Sequence, residues 1–127
     1  MIVAGIGCRR GATVEAVLEA IAAAIAQNNV AAPQLVGLAV PEEKLCEAGI
    51  VAAADRLALP VIGVSLADLA RVGDGTLTYS ERVQAMKGVP SVAEAAALAA
   101  AGAGARLIAA RTTTPTVTCA LARGGDA

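Results

Sequence analysis

Apolar and polar positions along the chain change spacing several times, and each change marks an element. Met1 to Ile6 is a short apolar run stopped at Gly7, as expected of a strand buried on both faces. From Thr13 the spacing becomes helical: Val14, Val17, Leu18, Ile21 and Ile25 make one stripe, the Thr13 hydroxyl is placed to cap it, and Gln27-Asn28-Asn29 ends it. Leu35 to Val40 reads as a second strand. Pro41 suits a first helical turn, and Glu42 and Glu43 favour its positive end, so a helix is predicted from there to about Leu57. A third strand follows at Val61 to Val64. Ser65-Leu66-Ala67-Asp68 opens a short helix, Gly73-Asp74-Gly75 is a loop, and Thr78 to Val83 opens another helical turn.

After the break at Gly88-Val89-Pro90, Ser91-x-x-Glu94 is a capping box ahead of an alanine-rich helix that ends at Gly102 and Gly104. Leu107 to Ala110 reads as a fourth strand, Thr112 to Pro115 as a turn, and Val117 to Leu121 as a fifth strand antiparallel to the fourth. Strand and helix alternate. The pattern therefore predicts an α/β fold in three layers: a mostly parallel sheet of about five strands, helices on both faces, and the last strand antiparallel. One domain is expected over residues 1–123, with a flexible tail at 124–127.

Composition sharpens this picture. Hydrophobic residues are 57 % of the chain, yet Phe, Trp and His are absent and Tyr79 is the one aromatic, so the apolar content is mostly small and branched aliphatics that let helices lie near a sheet. Ten basic and eleven acidic residues leave a formal charge of -1, without the basic excess of a general nucleic-acid binder. Without histidine there is no imidazole metal site and no Ser–His or Cys–His pair within one chain; no metal and no cofactor are expected. Acid–base work falls to Asp, Glu, Lys, Cys or Tyr79. Cys8, Cys46 and Cys119 are odd in number and scattered, which points to reduced thiols and a cytoplasmic setting. Arg9 and Arg10 follow the first apolar run, unlike a secretory signal, and the stretch from Ala20 to Pro41 is too polar in its middle to span a membrane.

Ligands of such sheets bind beyond the carboxyl ends of the strands. That rule gathers Gly7–Gly11, Val40–Lys44, Ser65–Asp68 and Arg111–Thr116 at one rim. In the first segment two adjacent arginines sit in a glycine turn at a helix entrance, where backbone N–H groups and the helix dipole favour an anion; two solvated arginines in a tight turn are the plainer reading. Neither named phosphate motif fits: the last position of a G-x-G-x-x-G falls on Arg10, and the G-K-[ST] of a P-loop is absent. In Pro41-Glu42-Glu43-Lys44-x-x-Glu47, Glu43 and Glu47 are four apart on one helix face and Lys44 and Glu47 three apart, as functional groups facing the same rim as Arg9 or as an ordinary ion pair in a solvated first turn. Thr76, Thr78 and Ser80, and the run Thr112 to Thr114, offer hydroxyls to carboxylates, or serve as caps and turns. Cys8 reads as a packing residue, although a thiol at a helix entrance can have a lowered pKa.

Taken together these pieces resemble the family of CobE and the C-terminal domain of CbiG, from cobalamin (vitamin B12) biosynthesis. The matching stretches are Gly5-Ile6-Gly7-Cys8-Arg9-Arg10-Gly11, Lys44-x-x-Glu47-x-Gly49-Ile50, Ser80-x-x-Val83, Gly88 to Ala97, and Val117-Thr118-x-Ala120. They run in family order over nearly the whole chain. Three positions depart from the family's usual pattern: Val40-Pro41 where a small polar residue is common, Arg111 in place of lysine, and Pro115 in place of asparagine.

The resemblance implies a place in the middle of corrin-ring synthesis, where a two-domain relative opens a lactone on a cobalt-precorrin and releases acetaldehyde. The short chain favours the stand-alone type. Precorrins are flat macrocycles bearing carboxylate arms, which Arg9, Arg10, Lys44 and Arg111 are suited to hold. The ligand-binding set read this way is Gly7, Cys8, Arg9, Arg10, Gly11, Lys44, Glu47, Ser80 and Arg111. The leading expectation is a carrier or accessory factor for a precorrin or corrinoid, as monomer or homodimer, meeting other enzymes of the corrin pathway. The alternative is a hydrolase or lyase acting on the lactone or a side chain, with Glu47 as catalytic base. A small-anion or nucleotide module, resting on the glycine turn alone, is a third reading.

Overall fold

The computed structural model describes residues 1–72, 76 and 91–125. Six strands form one sheet: β1 (Ile2–Cys8), β2 (Leu35–Pro41), β3 (Val61–Val64), β4 (Arg106–Leu107), β5 (Thr112–Thr113) and β6 (Val117–Arg123). Their order is β3-β2-β1-β6-β4, and β5 also pairs with β6. β1, β2 and β3 are parallel. β6 runs antiparallel to β1 over its full length, from Ile2↔Arg123 to Cys8↔Val117, and antiparallel to β4 and β5. The predicted architecture is thus observed: a sheet parallel in its first half, antiparallel strands at its end, and helices on both faces.

The central strand carries the apolar run because both of its faces are covered. Ile2, Ala4 and Ile6 point into a core shared with Val17, Ala20 and Ile21 of α1 (Val14–Gln27) and with Ile50, Ala53 and Ala54 of α2 (Ala48–Leu57). Val3 points the other way, into a core with Leu69 of α3 (Leu66–Arg71) and Ala95, Ala96, Ala97 and Leu98 of α4 (Val92–Ala101). The alanines of α4 let it come very close. A Cβ on Gly5 would run into the Ala93 carbonyl oxygen and lie 2.7 Å from the Ala97 nitrogen. Helix starts follow their caps: Thr13 Oγ1 accepts from the Ala16 N–H at 3.1 Å, Ser65 Oγ from Asp68 at 3.1 Å, and Ser91 Oγ from Glu94 at 3.5 Å.

Three elements differ from the sequence pattern. The helix expected from Pro41 to Leu57 is broken. Pro41 still pairs with Val64 as the last residue of β2, Glu42–Lys44 is a single 3-10 turn, and α2 begins only after Glu47. Leu45 explains the break: its side chain lies on Gly63 of β3, where a Cβ would come within 2.7 Å of Leu45 Cδ1, so the chain folds back over the sheet before it can wind. The fourth strand is also shorter, Arg106–Leu107, and the expected threonine turn is displaced. Thr112 and Thr113 pair with Cys119 and Thr118, and the turn closes one step later, where the Thr114 N–H and hydroxyl both donate to the Val117 carbonyl at 2.9 Å. Among the described residues no helix is long and apolar enough to cross a membrane.

Candidate functional site

The carboxyl ends of β1, β2 and β3 open onto one rim of the sheet, and helices α1, α2 and α3 start there. α4 starts there too: a Cβ on Gly7 would sit 3.7 Å from Ala93 Cβ, while the other end of α4 reaches Gly124. Several helix N-termini thus face the same end of the molecule, each carrying a partial positive charge.

The glycine turn is built from within and fastened from outside. Ala12 N–H donates to the Arg9 carbonyl at 3.2 Å, and Gly11 adopts φ +81°, in the left-handed region that suits glycine. Arg9 N–H donates to the Thr116 carbonyl at 3.4 Å, which ties the turn to the loop ahead of β6. Gly11 N–H donates to Glu47 Oε1 at 2.7 Å, a short charge-assisted bond across 36 residues. Glu47 holds the N-cap position of α2 but makes no side-chain cap to its own helix, so its carboxylate serves the neighbouring loop instead. The approach is possible because α2 presents Gly49 to the turn, where a Cβ would strike the Ala12 carbonyl oxygen.

Cys8 lies at the meeting point of these loops. Burial pushes its thiol up from 9.0, the Lys44 ammonium pulls it down, and the Glu47 carboxylate pushes it up again. The net direction is upward, so the lowering expected of a thiol at a helix entrance does not occur: burial outweighs the cation, and Cys8 stays a thiol at neutral pH. Arg9 and Arg10 are exposed and Lys44 is partly so. Among the described residues none of Arg9, Arg10, Lys44 and Arg111 has a carboxylate within ion-pair distance; the one ion pair is Arg71 to Asp68 at 3.2 Å, on the surface of α3.

The structure therefore brings together Cys8, Arg9, Arg10, Gly11, Lys44 and Glu47, with Gly7 at the floor beside Thr118 and Ala93. Arg111 stands apart. It precedes β5, lies across β6 from the glycine turn, and is further down the ladder than the Thr113–Thr118 pair. Its N–H donates to Glu94 Oε2 at 2.8 Å, on the α4 side of the sheet. Ser80 lies outside the described residues.

Among the described residues, cavities also lie away from these groups. One of about 350 Å3 lies between α3 and the end of α4. A groove of about 490 Å3 runs along α2 past Cys46, Val51 and Leu59. None of the four cations lines either. Among the described residues no group of His, Cys, Asp or Glu side chains is clustered to hold a metal ion. One residue that sequence reasoning passed over is Glu94. As part of a capping box it looks local, but its carboxylate reaches another element, and its signal was an acid in an otherwise apolar helix face.

A family model for the C-terminus of cobalamin synthesis protein G matches residues 2–122. Among solved structures, CobE, a protein from the cobalamin (vitamin B12) biosynthetic pathway, is 34% identical with a TM-score of 0.91, covering 97% of this chain and 89% of that one. The cobalamin biosynthesis protein chiG from Agrobacterium tumefaciens str. C58 is 44% identical with a TM-score of 0.79, covering 99% and 100%. A cobalamin biosynthesis protein G homolog from Sulfolobus solfataricus shares the fold at 20% identity and TM-score 0.69, over 95% of this chain and 36% of that one. No curated protein matches the chain. With nearly every residue of the sheet and its helices inside that match, the chain belongs to the family of the cobalamin synthesis protein G C-terminus.

Proposed function

We propose that this cobalamin-synthesis family member binds a precorrin or corrinoid intermediate, as a carrier or accessory factor in corrin-ring synthesis. The observation that carries the reading is the pair of loops joined by the Glu47–Gly11 hydrogen bond, which hold Arg9, Arg10 and Lys44 at one rim without carboxylate partners among the described residues. Carboxylate arms of a macrocycle are suited to such groups, and arginine can take a carboxylate through two parallel N–H donors.

The test is gel filtration of the protein with cobyrinic acid, a coloured corrin polycarboxylate. Colour should travel with the protein, and an Arg9→Ala/Arg10→Ala variant should hold it about thirtyfold less tightly, on the basis of about 1 kcal/mol for each of the two lost cation contacts at an exposed site. Colour that never moves with the wild-type protein sinks the proposal.

A second reading follows from Glu47 lying beside these cations: a hydrolase or lyase acting on the lactone or a side chain, with Glu47 as base and the arginines stabilising the developing anion. Against it stands the use of Glu47 Oε1 to hold the glycine turn. Incubation of Glu47→Gln with a defined precorrin decides it, since undiminished turnover removes the assignment.

A further inference from the structure

Glu94 is the one charged side chain among the described residues that is buried, at 0 % exposure. It sits in the first turn of α4, beside Ser91, which is also fully buried. A carboxylate taken out of water is costly unless it is hydrogen-bonded, and a helix of alanines needs no acid there for packing. The helix start itself suits an acid. The positive end of α4 favours negative charge in its first turn, while Ser91 Oγ separately caps the Glu94 backbone N–H at 3.5 Å.

The carboxylate does work between elements. Glu94 Oε2 accepts the backbone N–H of Arg111 at 2.8 Å, across 17 residues. Arg111 needs such an anchor. It lies between the bends at 108–110 and the two-residue strand β5, at the open edge of the sheet, where ladder bonds are few. Ile108 N–H donates to the Leu121 carbonyl at 2.9 Å, and the next ladder pair is Thr112 with Cys119, so the Arg111 N–H is fixed by a side chain where the strand pattern lapses. α4 is itself locked over β1 by Gly5, so the anchor is rigid.

We propose that Glu94 is a positioning residue for Arg111: it fixes the backbone of this cation on the α4 side of the sheet, down the β6 ladder from the rim, so that Arg111 meets a carboxylate arm that the Arg9–Lys44 cluster does not reach. The inference rests on the corrin-binding reading above.

The test compares Glu94→Asp, Glu94→Gln and Arg111→Ala for cobyrinic acid affinity, with melting temperature measured alongside. Aspartate keeps the charge and the cap but withdraws the acceptor by one methylene; glutamine keeps an oxygen within reach of the Arg111 N–H. Glu94→Asp should weaken binding as much as Arg111→Ala, about three- to tenfold, and the double variant should be no weaker than Arg111→Ala alone, because the two act as one unit. Glu94→Gln should bind like wild type. A carboxylate with only a packing role would lower the melting temperature of Glu94→Asp and leave affinity alone, which overturns the proposal, as does a double variant in which the losses add. If wild-type protein fails to hold cobyrinic acid, the corrin reading falls and this one with it; wild-type binding with unchanged affinity in Glu94→Asp removes this one alone.

Discussion

At the scale of single residues, Cys8 offers a probe of the site, because its thiol responds to the two side chains assigned there. Lys44 lowers its pKa and Glu47 raises it, both acting on a group that burial has already pushed up. Removing the cation should therefore raise the thiol further, and removing the carboxylate should lower it. Alkylation of Cys8 by iodoacetamide at mildly alkaline pH, followed by peptide mass spectrometry, should be slower in Lys44→Ala and faster in Glu47→Gln, since the thiolate is the reactive form. Equal rates in all three proteins would mean that these side chains do not meet. Cys119 gives a contrast. It is buried within the sheet and its thiol is pushed up to about 12 from 9.0 by desolvation. A group raised in the folded state contributes stability in full below its unfolded value and loses it as pH rises through the folded one. The stability of wild type relative to Cys119→Ala should therefore fall between about pH 9 and pH 12, as read from urea midpoints; a flat difference across that window contradicts the burial argument.

At the scale of elements, the close contact of α4 with β1 shows what small residues accomplish. Gly5→Ala adds one methyl against the Ala93 carbonyl oxygen, a backbone atom that cannot swing aside. Overpacking of this kind costs about 1–3 kcal/mol, occasionally more, and the melting temperature should drop accordingly. Gly11→Ala meets open space instead, so its cost is confined to the strained φ, on the order of 1 kcal/mol.

The same contrast explains what the sequence made legible. β1, α1 and α4 were readable because their signals are local: an apolar run, a 3.6-residue stripe and a hydroxyl cap. The break at Glu42–Glu47 was not, because it depends on Leu45 finding Gly63 on a strand 18 positions away. β5 was hidden for a similar reason. Three threonines in a row satisfy a turn pattern equally well, and only the presence of β6 turns two of them into a strand.

At the scale of the whole molecule, the site was half legible. The rule that ligands sit beyond parallel strand ends gathered Gly7–Gly11, Val40–Lys44, Ser65–Asp68 and Arg111–Thr116; Cys8 and Lys44, from the first two, do lie near each other, since topology decides that placement. It could not say that Glu47 would spend a carboxylate oxygen on Gly11, nor that Arg111 would lie across β6. Both depend on side-chain reach between elements distant in sequence. If the rim holds polyanions through exposed cations, cobyrinic acid affinity should fall steadily as sodium chloride rises from about 50 mM to 500 mM, because the Debye length shrinks below the spacing of surface charges. Salt-independent binding would point to the ring face rather than the arms.

The placing of β6 also bears on how the chain reaches this state. Its seven residues lie beside β1, and β4 and β5 join the sheet only through it. A ribosome delivers Ile2 more than a hundred residues before Arg123. Until then the middle strand keeps one edge bare, a template for pairing with the wrong molecule. Nascent copies are most vulnerable to clumping in that interval, and shielding by a chaperone matters most before Val117 emerges.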